Sequence, residues 1–153
     1  AIMPLPPRQP HQESLLPIST IALWAYTNMA DPRWYWGSKY VMLRQDPNLE
    51  GPQKVGVTAT DGWAAYARAG HLFVKTFNYV QGARYPDLGC SVEAFTNADM
   101  LELETLGPLV HLQPGATVEH IEHWYLFRDV RTPQSDADVD RDVLTLAKPA
   151  TAG

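Results

Sequence analysis

Cys90-Ser-Val-Glu-Ala-Phe-Thr-Asn-Ala-Asp-Met-Leu-Glu-Leu-Glu-Thr-Leu106 is the stretch on which the fold turns. Two runs, Cys90 to Phe95 and Met100 to Leu106, are rich in apolar and β-forming residues, and Thr96-Asn97-Ala98-Asp99 between them supplies turn chemistry. In an extended chain, residues two apart share a face. Val92 therefore lies with Cys90, and Glu93 lies with Ser91 and Phe95. In the second run Leu101, Leu103 and Thr105 face one way, while Glu102 and Glu104 face the other. A turn at Asn97 and Ala98 brings the glutamates of both runs onto one surface.

Working outward, the same punctuation repeats. Ile18 to Tyr26, Tyr40 to Leu43, Lys54 to Thr58, Trp63 to Arg68, His71 to Tyr79 and Val118 to Asp129 are short segments rich in β-branched and aromatic residues. Asp-Pro, Asp-Gly, Ala-Gly, Tyr-Pro-Asp and Gln-Pro-Gly fall between them. This is the pattern of an all-β antiparallel sandwich over residues 18–130, without a helix longer than about three turns. Residues 1–17 hold Pro4, Pro6, Pro7, Pro10 and Pro17 and read as an irregular arm. Residues 131–153 read as an acidic, loosely held tail, with Val139, Val143, Leu144 and Leu146 able to dock as one short helix or strand.

Strand parity also sorts the candidate functional residues. His71, Phe73, Lys75, Phe77 and Tyr79 fall on one face, a mixture of aromatics, a cation and an imidazole that is unusual for a dry core. With Glu93, Glu102 and Glu104 nearby, two readings fit. One is a solvated sheet face with compensating charges. The other is a sugar site, in which ring faces stack on a pyranose and carboxylates take its hydroxyls. His120 and Glu122, with His71, could hold a metal in a cupin-like site, although two ligands without a near third are a weak signal. The recurring Asp136, Asp138, Asp140 and Asp142 lack the glycine and closing glutamate of a calcium loop. No cofactor is implied.

The totals bound the partners. The 153-residue chain fits one domain. Its net charge of -5 offers no basic surface for nucleic acid. No apolar run is long enough to span a bilayer. Cys90 is the sole cysteine and cannot form an intramolecular disulfide, so it reads as a small buried apolar residue. No signal peptide is present in these residues, which leaves the cytoplasm as the default location.

From Leu23 onward the order of motifs resembles a bacterial family of the galactose-mutarotase-like (aldose 1-epimerase-like) superfamily. The stretches that carry it are Leu23-Trp24-Ala25-Tyr26-Thr27, Asp31-Pro32-Arg33, Lys54-Val55-Gly56, Gly62-Trp63, Phe73-Val74-Lys75, Tyr85-Pro86-Asp87-Leu88-Gly89-Cys90 and Glu93-Ala94-Phe95-Thr96-Asn97. Leu101-Glu102-Leu103-Glu104-Thr105-Leu106-Gly107-Pro108-Leu109, Leu112-Gln113-Pro114-Gly115 and His120-Ile121-Glu122-His123-Trp124 complete it. The resemblance implies a supersandwich of which this chain keeps the C-terminal half, with sugar bound on a concave sheet face. In such enzymes a glutamate takes the C1 hydroxyl proton while a histidine protonates the ring oxygen. Leu103-Glu104-Thr105 is similar to the segment that carries that glutamate, so Glu104 is the expected base, with Lys75, Glu93, Trp63 and His71 as sugar contacts. The family's histidine acid has no positional match, since His11 lies in the arm and His71 on a later strand. Half a supersandwich leaves apolar faces and unpaired edges, which predicts a homodimer with a large apolar interface. The rival reading from another class is a non-catalytic, oligomer-forming interaction module.

Overall fold

A computed structural model describes residues 1–151, with side chains through Lys148. Two antiparallel sheets face each other. The larger has six strands in the order β10-β7-β6-β1-β4-β3, and the smaller has four in the order β2-β5-β8-β9. The strands are β1 Ile2–Pro4, β2 Ile21–Leu23, β3 Trp34–Trp36, β4 Tyr40–Leu43, β5 Gln53–Val57, β6 Trp63–Arg68, β7 His71–Phe77, β8 Val92–Thr96, β9 Leu101–Thr105 and β10 Glu122–Arg128. The all-β sandwich expected from the sequence is what forms, and no helix lies between residues 18 and 130.

Local chemistry sets the hairpins. β8 and β9 pair with Glu93 opposite Glu104 and Thr96 opposite Leu101. Asn97 closes their turn by accepting the backbone N–H groups of Asp99 and Met100 on its side-chain oxygen. β6 and β7 pair with Arg68 opposite His71. The two residues between them, Ala69 and Gly70, both take positive φ, as a tight two-residue hairpin turn demands.

Side-chain alternation then builds two apolar layers. Met3, Val41, Leu43 and Ala64 of the large sheet meet Val55, Val57, Val92 and Ala94 of the small one. On the large sheet's other face, Ile2, Tyr40, Met42, Trp63, Ala65, Leu72 and Val74 are covered by Val139, Val143 and Ala147. Those three residues sit four apart on a continuous helical segment: α1 Asp136–Asp138, a π-helical turn Val139–Val143, and α2 Leu144–Thr151. Ser135 caps its start by accepting the Asp138 N–H on its hydroxyl oxygen.

Both terminal expectations need correction. Ile2–Pro4 is not part of an irregular arm but the strand between β4 and β6. Three residues are too few to show a period, and Pro4 ends the strand, where a missing N–H is tolerated. Residues 131–151 are not a loose tail either, because Val139, Val143 and Ala147 are fully buried. Of the two readings weighed for Val139 and Val143, the docked helix is the one realised. The aspartates beside them hold the helix to the sheet. Asp136 accepts N–H groups of Ser38 and Lys39 through Oδ2, and Asp140 accepts from Lys39 and Tyr40.

Candidate functional site

β5 supplies the centre of the site. Its odd-numbered residues, Val55 and Val57, enter the core, so Lys54 and Gly56 turn to the outer face of the small sheet. Glu93 stands opposite Gly56 on one neighbour, and Glu104 stands opposite Glu93 on the next strand. Lys54 Nζ reaches both carboxylates, at 2.9 Å from Glu93 Oε2 and 3.1 Å from Glu104 Oε1. It also lies 4.8 Å from the centroid of the Trp24 ring, a cation–π distance. Gly56 is required here, because a Cβ would stand 2.6 Å from Cys90 Sγ and 3.3 Å from Glu93 Cγ.

The two glutamates live in different surroundings. Glu93 is 2% exposed, and its Oε1 has no hydrogen-bond partner. Burial pushes its carboxyl above the usual range. Lys54 opposes that shift, while the Asp87 carboxyl adds to it. Glu104 keeps 34% of its side chain in water. The lid over Glu93 is the turn after Tyr85, where Asp87, Leu88 and Gly89 all take positive φ. A left-handed leucine costs of order 1 kcal/mol, so the surrounding fold holds this turn in place.

Not every expected residue arrives at this face. Lys75 does not converge with Glu93 and Glu104. Its side chain points between the sheets, donating to the Leu103 carbonyl at 3.0 Å and pairing with Glu122 at 2.7 Å. Sequence parity placed Lys75 correctly within its own strand but could not say which sheet β7 joins, and it joins the other one. Trp63 sits on the opposite face of β6 from the residue beside Lys75, sealed under the C-terminal helix at 1% exposure. His71 is exposed at the hairpin end, with Nδ1 donating to the Ala69 carbonyl. The sequence missed Lys54 as the cation and Trp24 as the aromatic. The even-residue parity of the short run from Lys54 to Thr58, aligned with Glu93, was the signal that could have found Lys54.

A second polar cluster joins the edge strands of the two sheets. Thr105 of β9 contacts His120 Nε2 at 2.9 Å and hydrogen-bonds Glu122 of β10. Trp124 Nε1 donates to Glu122 at 2.7 Å. Burial alone would raise the Glu122 carboxyl, but bonds from Lys75, Thr105 and Trp124 outweigh it and hold the group below its usual range. This is a charged clasp between sheet edges. His71 stands apart from His120 and Glu122, at the far end of the β7–β10 pairing. Among the described residues no three His, Cys, Asp or Glu side chains are grouped to hold a metal ion. No helix there is long and apolar enough to cross a membrane.

Fold and site together define an antiparallel β-sandwich that presents a lysine between two glutamates, under a strained turn and beside a tryptophan. No family model, curated protein or solved structure matches the chain.

Proposed function

We propose that the outer face of the small sheet binds carbohydrate in the manner of mutarotase-like sandwiches, with Glu104 as the reactive carboxylate. The observation that carries this is the position of Lys54 Nζ, shared by Glu93 and Glu104 beside Trp24. A pyranose needs hydroxyl acceptors, hydroxyl donors and an apolar surface, and these side chains supply all three within one short stretch of sheet. Glu104 is the solvent-facing acceptor. Lys54 Nζ holds it in place at 3.1 Å, and a carboxylate is the group able to take a proton from a C1 hydroxyl. Glu93, buried and with a raised pKa, fixes Lys54 from beneath. The test is exchange between glucose or galactose anomers followed by NMR, together with ligand-induced change in tryptophan fluorescence. Glu104→Gln is expected to abolish exchange while leaving the circular dichroism unchanged. Exchange at the wild-type rate in that variant, or no response of the wild type to either sugar, would refute the reading.

One observation favours the oligomer-forming reading. β10 is an edge strand, and Ile121 just before it and Trp124 and Leu126 within it are 63%, 67% and 80% exposed. Isolated edges with apolar flanks pair readily with a second chain. Sedimentation equilibrium at micromolar concentration distinguishes the cases. A dimer that Leu126→Lys converts to monomer would support association through β10, and a monomeric wild type would remove it.

A further inference from the structure

One carboxylate oxygen on the outer face of the small sheet lacks a donor. Glu93 is 2% exposed, its Oε2 takes the Lys54 ammonium at 2.9 Å, and its Oε1 is sealed from water without a hydrogen-bond partner. A buried polar oxygen left bare is costly, so such an atom asks for an explanation. The titratable groups that face Glu93 are Lys54 from β5, Glu104 from β9, and Cys90 and Asp87 from the turn that closes over the sheet. Cys90 Sγ sits over Gly56 beside Glu93 Cγ, and the thiol donates to the Asp87 carbonyl at 3.0 Å. Asp87 is thereby drawn to Glu93, and the two carboxyl groups lie within hydrogen-bonding reach of each other.

Two carboxylates cannot bond each other, whereas a carboxyl and a carboxylate bond strongly. A single proton held between Asp87 and Glu93 supplies the donor that Glu93 lacks, and the one charge left on the pair is the charge that Lys54 neutralises. Burial is the main cause that raises the Glu93 carboxyl, Lys54 opposes it and Asp87 reinforces it, so the pair keeps its proton where an isolated carboxyl has lost its own. Asp87 is the exposed member of the pair. Its turn is pinned: the Gly89 and Cys90 N–H groups donate to the Pro86 carbonyl, Thr20 donates to the Leu88 carbonyl at 3.0 Å, and Thr58 donates to the Gly89 carbonyl at 3.0 Å. Asp87 itself has φ 47°, a left-handed value that Asp and Asn adopt more readily than most residues.

We infer that Asp87 is the acid that works with Glu104, giving the ring oxygen of the sugar the proton it shares with Glu93 while Glu104 takes the proton of the C1 hydroxyl. This rests on the reading of the face as a mutarotase-like sugar site, and it fills the role for which the sequence offers no histidine by position. As Glu104 removes the hydroxyl proton, the O–H electrons form the C1 carbonyl, the bond from C1 to the ring oxygen breaks, and that oxygen takes the proton from Asp87. The product is the open-chain aldehyde. After rotation about the bond from C1 to C2, the freed hydroxyl attacks the other face of C1 and returns its proton to the pair, while the carbonyl oxygen takes its proton back from Glu104. No proton is gained or lost over the cycle, and no co-reactant is needed.

The experiment follows glucose and galactose anomer exchange by NMR with the whole chain, comparing wild type, Glu104→Gln and Asp87→Asn. Asparagine accepts the left-handed backbone and can donate an N–H to Glu93, so Asp87→Asn should melt no lower than wild type. It should lower kcat at least about 100-fold with KM little changed. Wild-type kcat should fall as pH rises through the titration of the pair, because the acid is then spent, and the residual rate of Asp87→Asn should lack that alkaline fall. Carbon-13 spectra of labelled carboxyl groups need no sugar. They should show Asp87 and Glu93 of the wild type titrating in the same two steps, and the Glu93 titration moving to lower pH in Asp87→Asn, where a donor replaces a like charge. Should that variant unfold, the coupled wild-type titration and its match to the pH profile of kcat still decide. A wild-type rate in Asp87→Asn while Glu104→Gln is inactive would overturn this inference and leave the sugar reading standing, whereas no exchange by the wild type would remove both. Independent single titrations of Asp87 and Glu93, or a Glu93 titration unmoved by Asp87→Asn, would overturn the shared proton.

Discussion

Replacing Lys54 with methionine isolates what the central ion pairs do. The substitution keeps the apolar stem and removes the ammonium, leaving Glu93 buried at 2% exposure with Glu104 opposite it on the next strand. Breaking a buried pair from one side costs about 3–5 kcal/mol. The Lys54 and Glu104 side chains retain 16% and 34% exposure, and solvent screening there places the expectation near the low end, about 3 kcal/mol at pH 7. For a chain of 153 residues that lowers Tm by about 6–12 °C. The cost must depend on pH. The Glu93 carboxyl already lies above its ordinary value in the folded protein, burial being the main cause and Lys54 the main restraint. Without Lys54 it rises further. A carboxyl with a raised folded pKa binds its proton more tightly when folded. The penalty is therefore full above the folded pKa and is relieved as pH falls toward the unfolded value of about 4.3. Thermal unfolding of wild type and Lys54→Met, followed by circular dichroism at pH 7 and pH 5, should show the gap closing in acid. The double variant Lys54→Met/Glu93→Gln should recover part of the loss at pH 7. A cost below about 1 kcal/mol, or the same cost at both pH values, would refute the account of Glu93 as a buried charge held by Lys54.

Three further outcomes follow from the packing. Burial, with the Glu93 charge adding, pushes the Cys90 thiol up to about 12, so a thiol reagent at pH 8 should label it only on unfolding; rapid labelling of the native protein would contradict this. Trp63→Ala should cost about 3–5 kcal/mol in chemical denaturation, while leaving any sugar response intact because Trp63 lies under the C-terminal helix. Asp136→Ala removes the acceptor for Ser38 and Lys39 and should cost about 2 kcal/mol. Hydrogen exchange should then quicken at Val139 and Val143; unchanged protection there would show that the helix docks by its apolar face alone.

By itself the sequence determined the class of fold. Period-2 runs bounded by turn residues made Tyr40–Leu43 and Trp63–Arg68 legible to the residue, and the alternation across Asn97 placed Glu93 and Glu104 on one face, as their pairing confirms. These are local properties: a pleat sends neighbours to opposite sides whatever the strand later packs against. Which strands share a sheet is not local. Lys75 and Glu104 looked like neighbours because their parity agreed, but β7 and β9 belong to different sheets, and the cation beside Glu104 comes from β5 instead. Ile2–Pro4 and Trp34–Trp36 were too short to show a period, and they are strands because flanking chains supply their hydrogen bonds. The C-terminal segment carried its apolar residues at helical spacing amid aspartates. Only the uncovered face of Trp63, Leu72 and Val74 gave Val139 and Val143 something to bury against, and that face exists only once the sheet is assembled.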